Sequence, residues 1–134
     1  NYSSGSSRNY IAYCFAEKKG YSKFGSYRGN GGSQNFIYTG FKPAWIIGKR
    51  TDVTNNWYMF DNKRNTFNVT DAKLRADQSS AENVNSGKTI DIISNGVNIR
   101  SSDEEFNASG GTYIFMAFAE SPFVNSNGVP NNAR

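Results

Sequence analysis

One strand-length apolar segment occurs twice in this chain. It is YIAYCFAE at residues 10–17 and YIFMAFAE at residues 113–120, with Tyr, Ile, Phe, Ala and Glu at matching places. Both copies are aromatic or apolar on either parity, so each reads as a strand covered on both faces; a buried helical turn is the other conformation this pattern allows. Two arrangements account for the duplication. A two-sheet sandwich can place its first and last strands side by side in one environment. Alternatively, the segment closes a module used in tandem, so that residues 1–17 finish one copy and residues 21–120 form the next. The flanks favour the tandem arrangement. NASGGT precedes the later copy and NYSSGSSRN the earlier, both small and polar, and Tyr10 and Tyr113 stand 103 residues apart, the length of a small β-domain.

A chain of 134 residues buries one core, and 37% hydrophobic with 15% aromatic residues is too rich for a disordered segment. Charged residues are only 19%, and Asn, Ser and Gly fill the remainder, which points to strands joined by turns. The longest apolar run, residues 113–119, is far short of the roughly 20 residues that span a bilayer, so no membrane insertion is expected. The single cysteine, Cys14, has no partner in the chain for a disulfide and is expected to be an inert core thiol. Histidine is absent, which removes the commonest general base and metal ligand. An enzyme is therefore not expected; a paired-carboxylate glycosidase is the class that composition leaves open. The net charge of +4 is uneven: residues 1–50 hold eight Lys and Arg against Glu17, a local +7 that leaves −3 for the rest. Such a division suits nucleic acid, an anionic surface or head-to-tail contact between copies, or is simply an unevenly solvated surface.

Along the chain, residues 1–9 have linker composition and residues 121–134 read as an extended tail, leaving a domain over residues 10–120. GYSKFGSYRGNGGS reads as a long Gly and Ser loop, followed by the strand NFIYTGF up to Pro43. AWIIGKR and WYMFD form a hairpin with the long tip TDVTNN. Residues 62–88 offer few apolar anchors and are expected to be a surface excursion with a helical turn over residues 72–76. TIDIISNGVNIR is a hairpin around Asn95 and Gly96, with Ile90, Ile92, Val97 and Ile99 on its oily face and Asp91, Asn98 and Arg100 on the wet one. TYIFMAFAE is the last strand before Pro122.

GSYRGNGG, FIYTGFKPAWIIGKRTD, WYMFDNKR, ISNGVNIR and NASGGTYIFMAFAESPFVNSNGVPNNAR together cover most of the chain from residue 10 to the end. In these segments the sequence resembles the C-terminal domain of tail-fibre-like and other virion proteins of marine bacteriophages, often found beside concanavalin-like lectin folds. The resemblance implies a β-sandwich on the exterior of the virion, in a surface-binding, decorating or assembly role. It brings no catalytic residue.

Three groups of residues are candidates for a site. Tyr21, Phe24 and Tyr27 alternate with Lys23 and Arg28, a pattern able to stack on bases and neutralise phosphates. It matches no phosphate-binding motif, and anchoring of a loop or contact between subunits is the preferred reading, with nucleic acid not expected. Trp45 and Trp57 flank the hairpin tip, where Asp52, Asn55 and Asn56, with Tyr58 at the base, could orient the hydroxyls of a sugar stacked on an aromatic face. An aromatic on a strand is, however, more often core. Asp103, Glu104 and Glu105 lack the spacing of a calcium loop and read as a solvated acidic turn. Two sequons, at Asn68 and Asn107, are expected by chance in so Asn-rich a chain.

The fold expected is an all-β antiparallel two-sheet sandwich, jelly-roll or concanavalin-like. Its core draws on residues 10–16, 45–47 and 57–60, the hairpin of residues 90–99, and residues 113–119. The function expected is non-enzymatic, without cofactor or metal: a fibre or decoration domain of a phage particle that contacts the host surface or neighbouring subunits. Assembly residues are Tyr10, Tyr13, Phe15, Tyr21, Phe24, Tyr27 and Arg28; surface-binding residues are Trp45, Asp52, Asn55, Asn56, Trp57 and Tyr58. Partners expected are other virion subunits, copies of the chain, or a host glycan. A self-assembling extracellular filament built by strand exchange, and a glycan-binding module, are the alternatives.

Overall fold

The computed structural model describes residues 9–121, and all regular structure among them is extended. Nine strands follow in order among these residues: β1 (Ser22–Arg28), β2 (Asn35–Tyr38), β3 (Pro43–Arg50), β4 (Trp57–Asp61), β5 (Ala72–Lys73), β6 (Asn83–Val84), β7 (Ile90–Ile93), β8 (Gly96–Ile99) and β9 (Thr112–Ala119). One antiparallel sheet has the order β1-β9-β3-β4 and a second the order β2-β8-β7, while β5 and β6 make a short ladder. The protein is an all-β sandwich. Nearly all of the expected linker and tail, residues 1–8 and 122–134, lies outside the described residues.

Alternation along the strands builds the core. Ile46, Tyr58, Phe60, Phe115 and Ala117 project from the four-stranded sheet onto Ile37, Ile90, Ile92, Val97 and Ile99 from the three-stranded one, and Phe41 and Phe106 fill in from the connections. The expected β7–β8 hairpin forms with its predicted faces, and Arg100 donates to Asp91 across the wet side at 2.8 Å. Its turn is one residue earlier than the sequence indicates. Ile93 pairs with Gly96, so Ser94 and Asn95 are the loop. Gly96 serves close approach instead of turning: a Cβ there would lie 2.2 Å from the carbonyl oxygen of Ile37.

Three expectations are corrected. Residues 22–28 of the expected Gly and Ser loop are strand β1, while residues 29–34 are irregular as expected; Gly25 is a place for a ring, since it pairs with Phe115 and a Cβ on it would meet the Phe115 ring at 2.9 Å. Glycine read as a turn signal was a packing signal. The helical turn over residues 72–76 does not form; β5 lies there, pairing with β6 and bridged to β4 through Met59 and Leu74. Residues 10–16 form no strand and contribute nothing to the core, and Cys14 is exposed. The pattern that reads as a doubly covered strand at both ends of the chain becomes one only at the second, where β9 lies between β1 and β3.

Candidate functional site

The outer face of the four-stranded sheet is as apolar as many cores. Strand parity sends Phe24 of β1, Ile114, Met116 and Phe118 of β9, Trp45 and Ile47 of β3, and Trp57 and Met59 of β4 to the side away from the second sheet. Register then aligns them in rows across the strands. Phe24, Met116, Ile47 and Met59 make one row; Phe118 and Trp45 lie in the next, and Ile114, Lys49 and Trp57 in the one on the other side. A sheet face normally left to water carries polar residues, so this face is built to be covered.

Residues 13–15 lie over part of it. Phe15 stacks on Phe24 with ring centroids 6.2 Å apart and meets the edge of Phe118 at 5.8 Å. Tyr21, Phe24 and Trp45 also pack on Phe118, at 5.8, 6.1 and 5.9 Å. Beside this cluster a groove of about 820 Å³ is lined by Tyr13, Phe15, Phe24, Trp57, Ile114 and Met116, among others. Lys49 sits 6.0 Å from the Trp57 ring centre and donates to the carbonyl of Asn55 at 2.6 Å. The turn that leads the segment into β1 is tight: Ser22 Oγ donates to the carbonyl of Ala16 and accepts from the Lys18 amide, and Lys23 pairs with Glu17 at 2.8 Å.

The expected assembly residues are divided by this arrangement. Tyr13, Phe15, Tyr21 and Phe24 gather on the outer face, and Tyr10 is exposed on the segment that reaches it. Tyr27 belongs elsewhere. It faces the core, stacks on Tyr113 at 4.8 Å and 10°, donates to the Phe106 carbonyl at 2.7 Å and shares a 2.6 Å hydrogen bond with Tyr58. Burial raises the phenol pKa of both Tyr27 and Tyr58. Arg28 is exposed at the far end of β1, where it donates to the carbonyl of Gly110.

The expected sugar site is not assembled as one surface. Tyr58 is buried in the core, not at the base of an open loop, because it alternates with the outward Trp57 and Met59. Trp45 is on the outer face against Phe118. Asp52 is engaged by Arg50 through two hydrogen bonds at 2.8 and 3.1 Å; chiefly for that reason its pKa lies at about 2. Asn56 accepts from Gln78, and Asn55 reaches the Glu104 carbonyl. These side chains stitch loops together.

The acidic run enters a turn in which Glu104 is exposed but its neighbours are not solvated. Glu105 is buried and ion-paired with Lys73 and Arg75, and Asp103 holds Lys88 at 2.7 Å. Burial opposes ionisation of Glu105, yet the hydrogen bonds from Arg75 and Lys73 outweigh it and hold its carboxyl below the ordinary glutamate value. This network pins the excursion of residues 62–88 to the connection between β8 and β9. Sequence reading passed over Lys73 because a lysine in a polar stretch looks solvated; its only local signal is the neighbouring Ala72 and Leu74. Asn107 is also fully buried. Its amide bridges Asn30, Asn35, Gly32 and Ser101, so its sequon is closed in the folded chain.

These features define the chain as an all-β sandwich whose larger sheet has an apolar outer face. Residues 1–122 match the family described as "Domain of unknown function (DUF7483)", and the chain belongs to that family. No curated protein and no solved structure matches it.

Proposed function

We propose that this chain is a non-catalytic surface module of a bacteriophage virion, a fibre or decoration domain that contacts neighbouring subunits through the outer face of its four-stranded sheet. The observation that carries this reading is the aromatic and aliphatic face built around Phe118, Trp57, Ile114 and Met116, with Tyr13 and Phe15 beside it. Burying such a face between subunits is favourable by about 25 cal/mol per Å² of apolar area. The virion assignment itself rests on the sequence resemblance. The glycan reading has less support, because Asp52, Asn55 and Asn56 already spend their polar groups within the chain.

The test uses purified particles of the phage that carries the gene. Mass spectrometry should find the chain in the particle, and an Ile114→Asp variant that still folds should lose its place there. Absence of the chain from particles sinks the assignment. Incorporation of the Ile114→Asp variant at the natural level sinks the outer face as the contact.

A further inference from the structure

The segment of residues 10–17 has the composition of a ninth strand and no sheet to lie in. Superposing its sequence on β9 puts Tyr10 at the place of Tyr113, then Ile11, Ala12, Tyr13, Cys14, Phe15, Ala16 and Glu17 at the places of residues 114–120. In β9 the parity of Tyr113, Phe115, Ala117 and Ala119 faces the core, and that of Ile114, Met116 and Phe118 faces out. The segment keeps this division: Tyr10, Ala12, Cys14 and Ala16 on one side, Ile11, Tyr13 and Phe15 on the other. Tyr113 is the buried anchor of β9, its hydroxyl accepting from the Ala108 amide and donating to the Glu104 carbonyl, both at 2.8 Å. Tyr10 has the same residue type at the same offset and is 52% exposed, with Ile11 at 81%, Tyr13 at 80% and Phe15 at 58%. Among the described residues, no backbone amide of residues 10–16 donates a hydrogen bond. Unpaired backbone in so apolar a stretch is what a strand removed from its sheet leaves behind.

We infer that residues 10–17 are the ninth strand of a second module of this same fold, which precedes this one in a tandem array. The present module does not offer the place. Its slot between β1 and β3 is filled by β9, and exchanging the two segments would put Ala12 where the Phe115 ring packs over Gly25, leaving a void the size of a phenyl ring. An intact second copy has its slot filled in the same way, which disfavours strand exchange between separate chains. A preceding module whose core supplies its own bulk opposite Ala12 has no such obstacle. The tight Lys18–Tyr21 turn then becomes the connection from one module's last strand to the next module's first. The two modules would share the aromatic cluster of Phe15, Phe24 and Phe118 at their junction.

The experiment follows the thiol of Cys14, an inward position of the inferred strand, in the 134-residue chain and in a chain extended upstream along its natural reading frame by one module length. In the shorter chain Cys14 should react with a thiol reagent as an open cysteine. In the extended chain it should be protected at least about 100-fold, as a thiol inside a cooperatively folded sheet is. Ala12→Pro should leave the melting temperature of the shorter chain unchanged while abolishing the protection in the longer one. The inference is overturned if the upstream frame carries no strand pattern, if Cys14 stays open in the extended chain, or if Ala12→Pro leaves its protection intact. Protection that appears in the shorter chain as concentration rises would also overturn it, naming a second copy as the provider. None of these outcomes depends on the virion assignment.

Discussion

The two copies of one segment end in opposite states. In β9 the segment is the second strand of a four-stranded sheet, hydrogen-bonded on both flanks, with Phe115 and Ala117 in the core and Tyr113 tied by two hydrogen bonds at its hydroxyl. At residues 10–17 nearly the same letters lie at the surface outside any strand, with only Phe15 drawn into the cluster around Phe118. The difference teaches that an apolar strand pattern states a demand for neighbours and does not name them.

Paired substitutions test that contrast, and the largest effect is expected at the position where the copies differ most. Phe115→Ala should cost about 3–5 kcal/mol in urea unfolding, because the ring sits over Gly25, which cannot refill the space. The matching Ala12→Phe should change stability by less than about 0.5 kcal/mol. Equal effects from the two would show that the segments are not in different environments. A comparable loss, about 3–5 kcal/mol, is expected from Glu105→Gln, which strands Lys73 and Arg75 beside the connection that anchors Tyr113.

Acid should act on the same anchor. Glu105 is held below the ordinary glutamate value of 4.5, so its contribution is fully present above that pH and is lost as pH falls through its folded value. Thermal unfolding followed from pH 7 down to 3 should therefore show stability falling below about 4.5, by less in Glu105→Gln than in the natural chain. A parallel fall in both proteins would exclude Glu105 as the source. A smaller step is expected at the anchor itself: Tyr113→Phe should cost about 1–2 kcal/mol, because it leaves the Ala108 amide unpaired and takes the shortest of its hydrogen bonds from the Glu104 carbonyl. Tyr10→Phe should cost nothing measurable, and a loss there would place Tyr10 in a contact of its own. The smallest effect on stability belongs to Ile11→Ser, which should leave the melting temperature unchanged while lowering the binding of a hydrophobic dye; unaltered dye binding would mean the exposed segment is not the sticky surface.

Much of the sandwich was legible because its signals are local. The β7–β8 hairpin follows from alternation around a short polar turn, β3 and β4 from two apolar runs with a polar tip, and β9 from an apolar run closed by Gly110 and Gly111 in front and Pro122 behind. The apolar outer face was legible only in fragments. Tyr13, Phe15, Phe24 and Trp57 were each marked as candidates, but Ile114, Met116 and Phe118 looked like core, since a sequence run cannot say which parity of a strand has a second sheet over it. Tyr58 and Tyr27 were misplaced for the converse reason: each is an aromatic beside a loop whose parity points it inward.

By itself the sequence determined that this chain would be built of short strands, that its chemistry would lack histidine, and that one strand pattern would be written twice. These follow from residue type and period two, which act over a few residues. The tertiary structure alone decided which copy is paired, which face of the larger sheet is left apolar and open, and that Lys73 and Glu105 meet 32 residues apart in a buried ion pair. Such outcomes depend on register and on competition for a single slot between β1 and β3. The slot is held by β9, whose Phe115 ring packs over Gly25, where Ala12 of the first copy would leave a void.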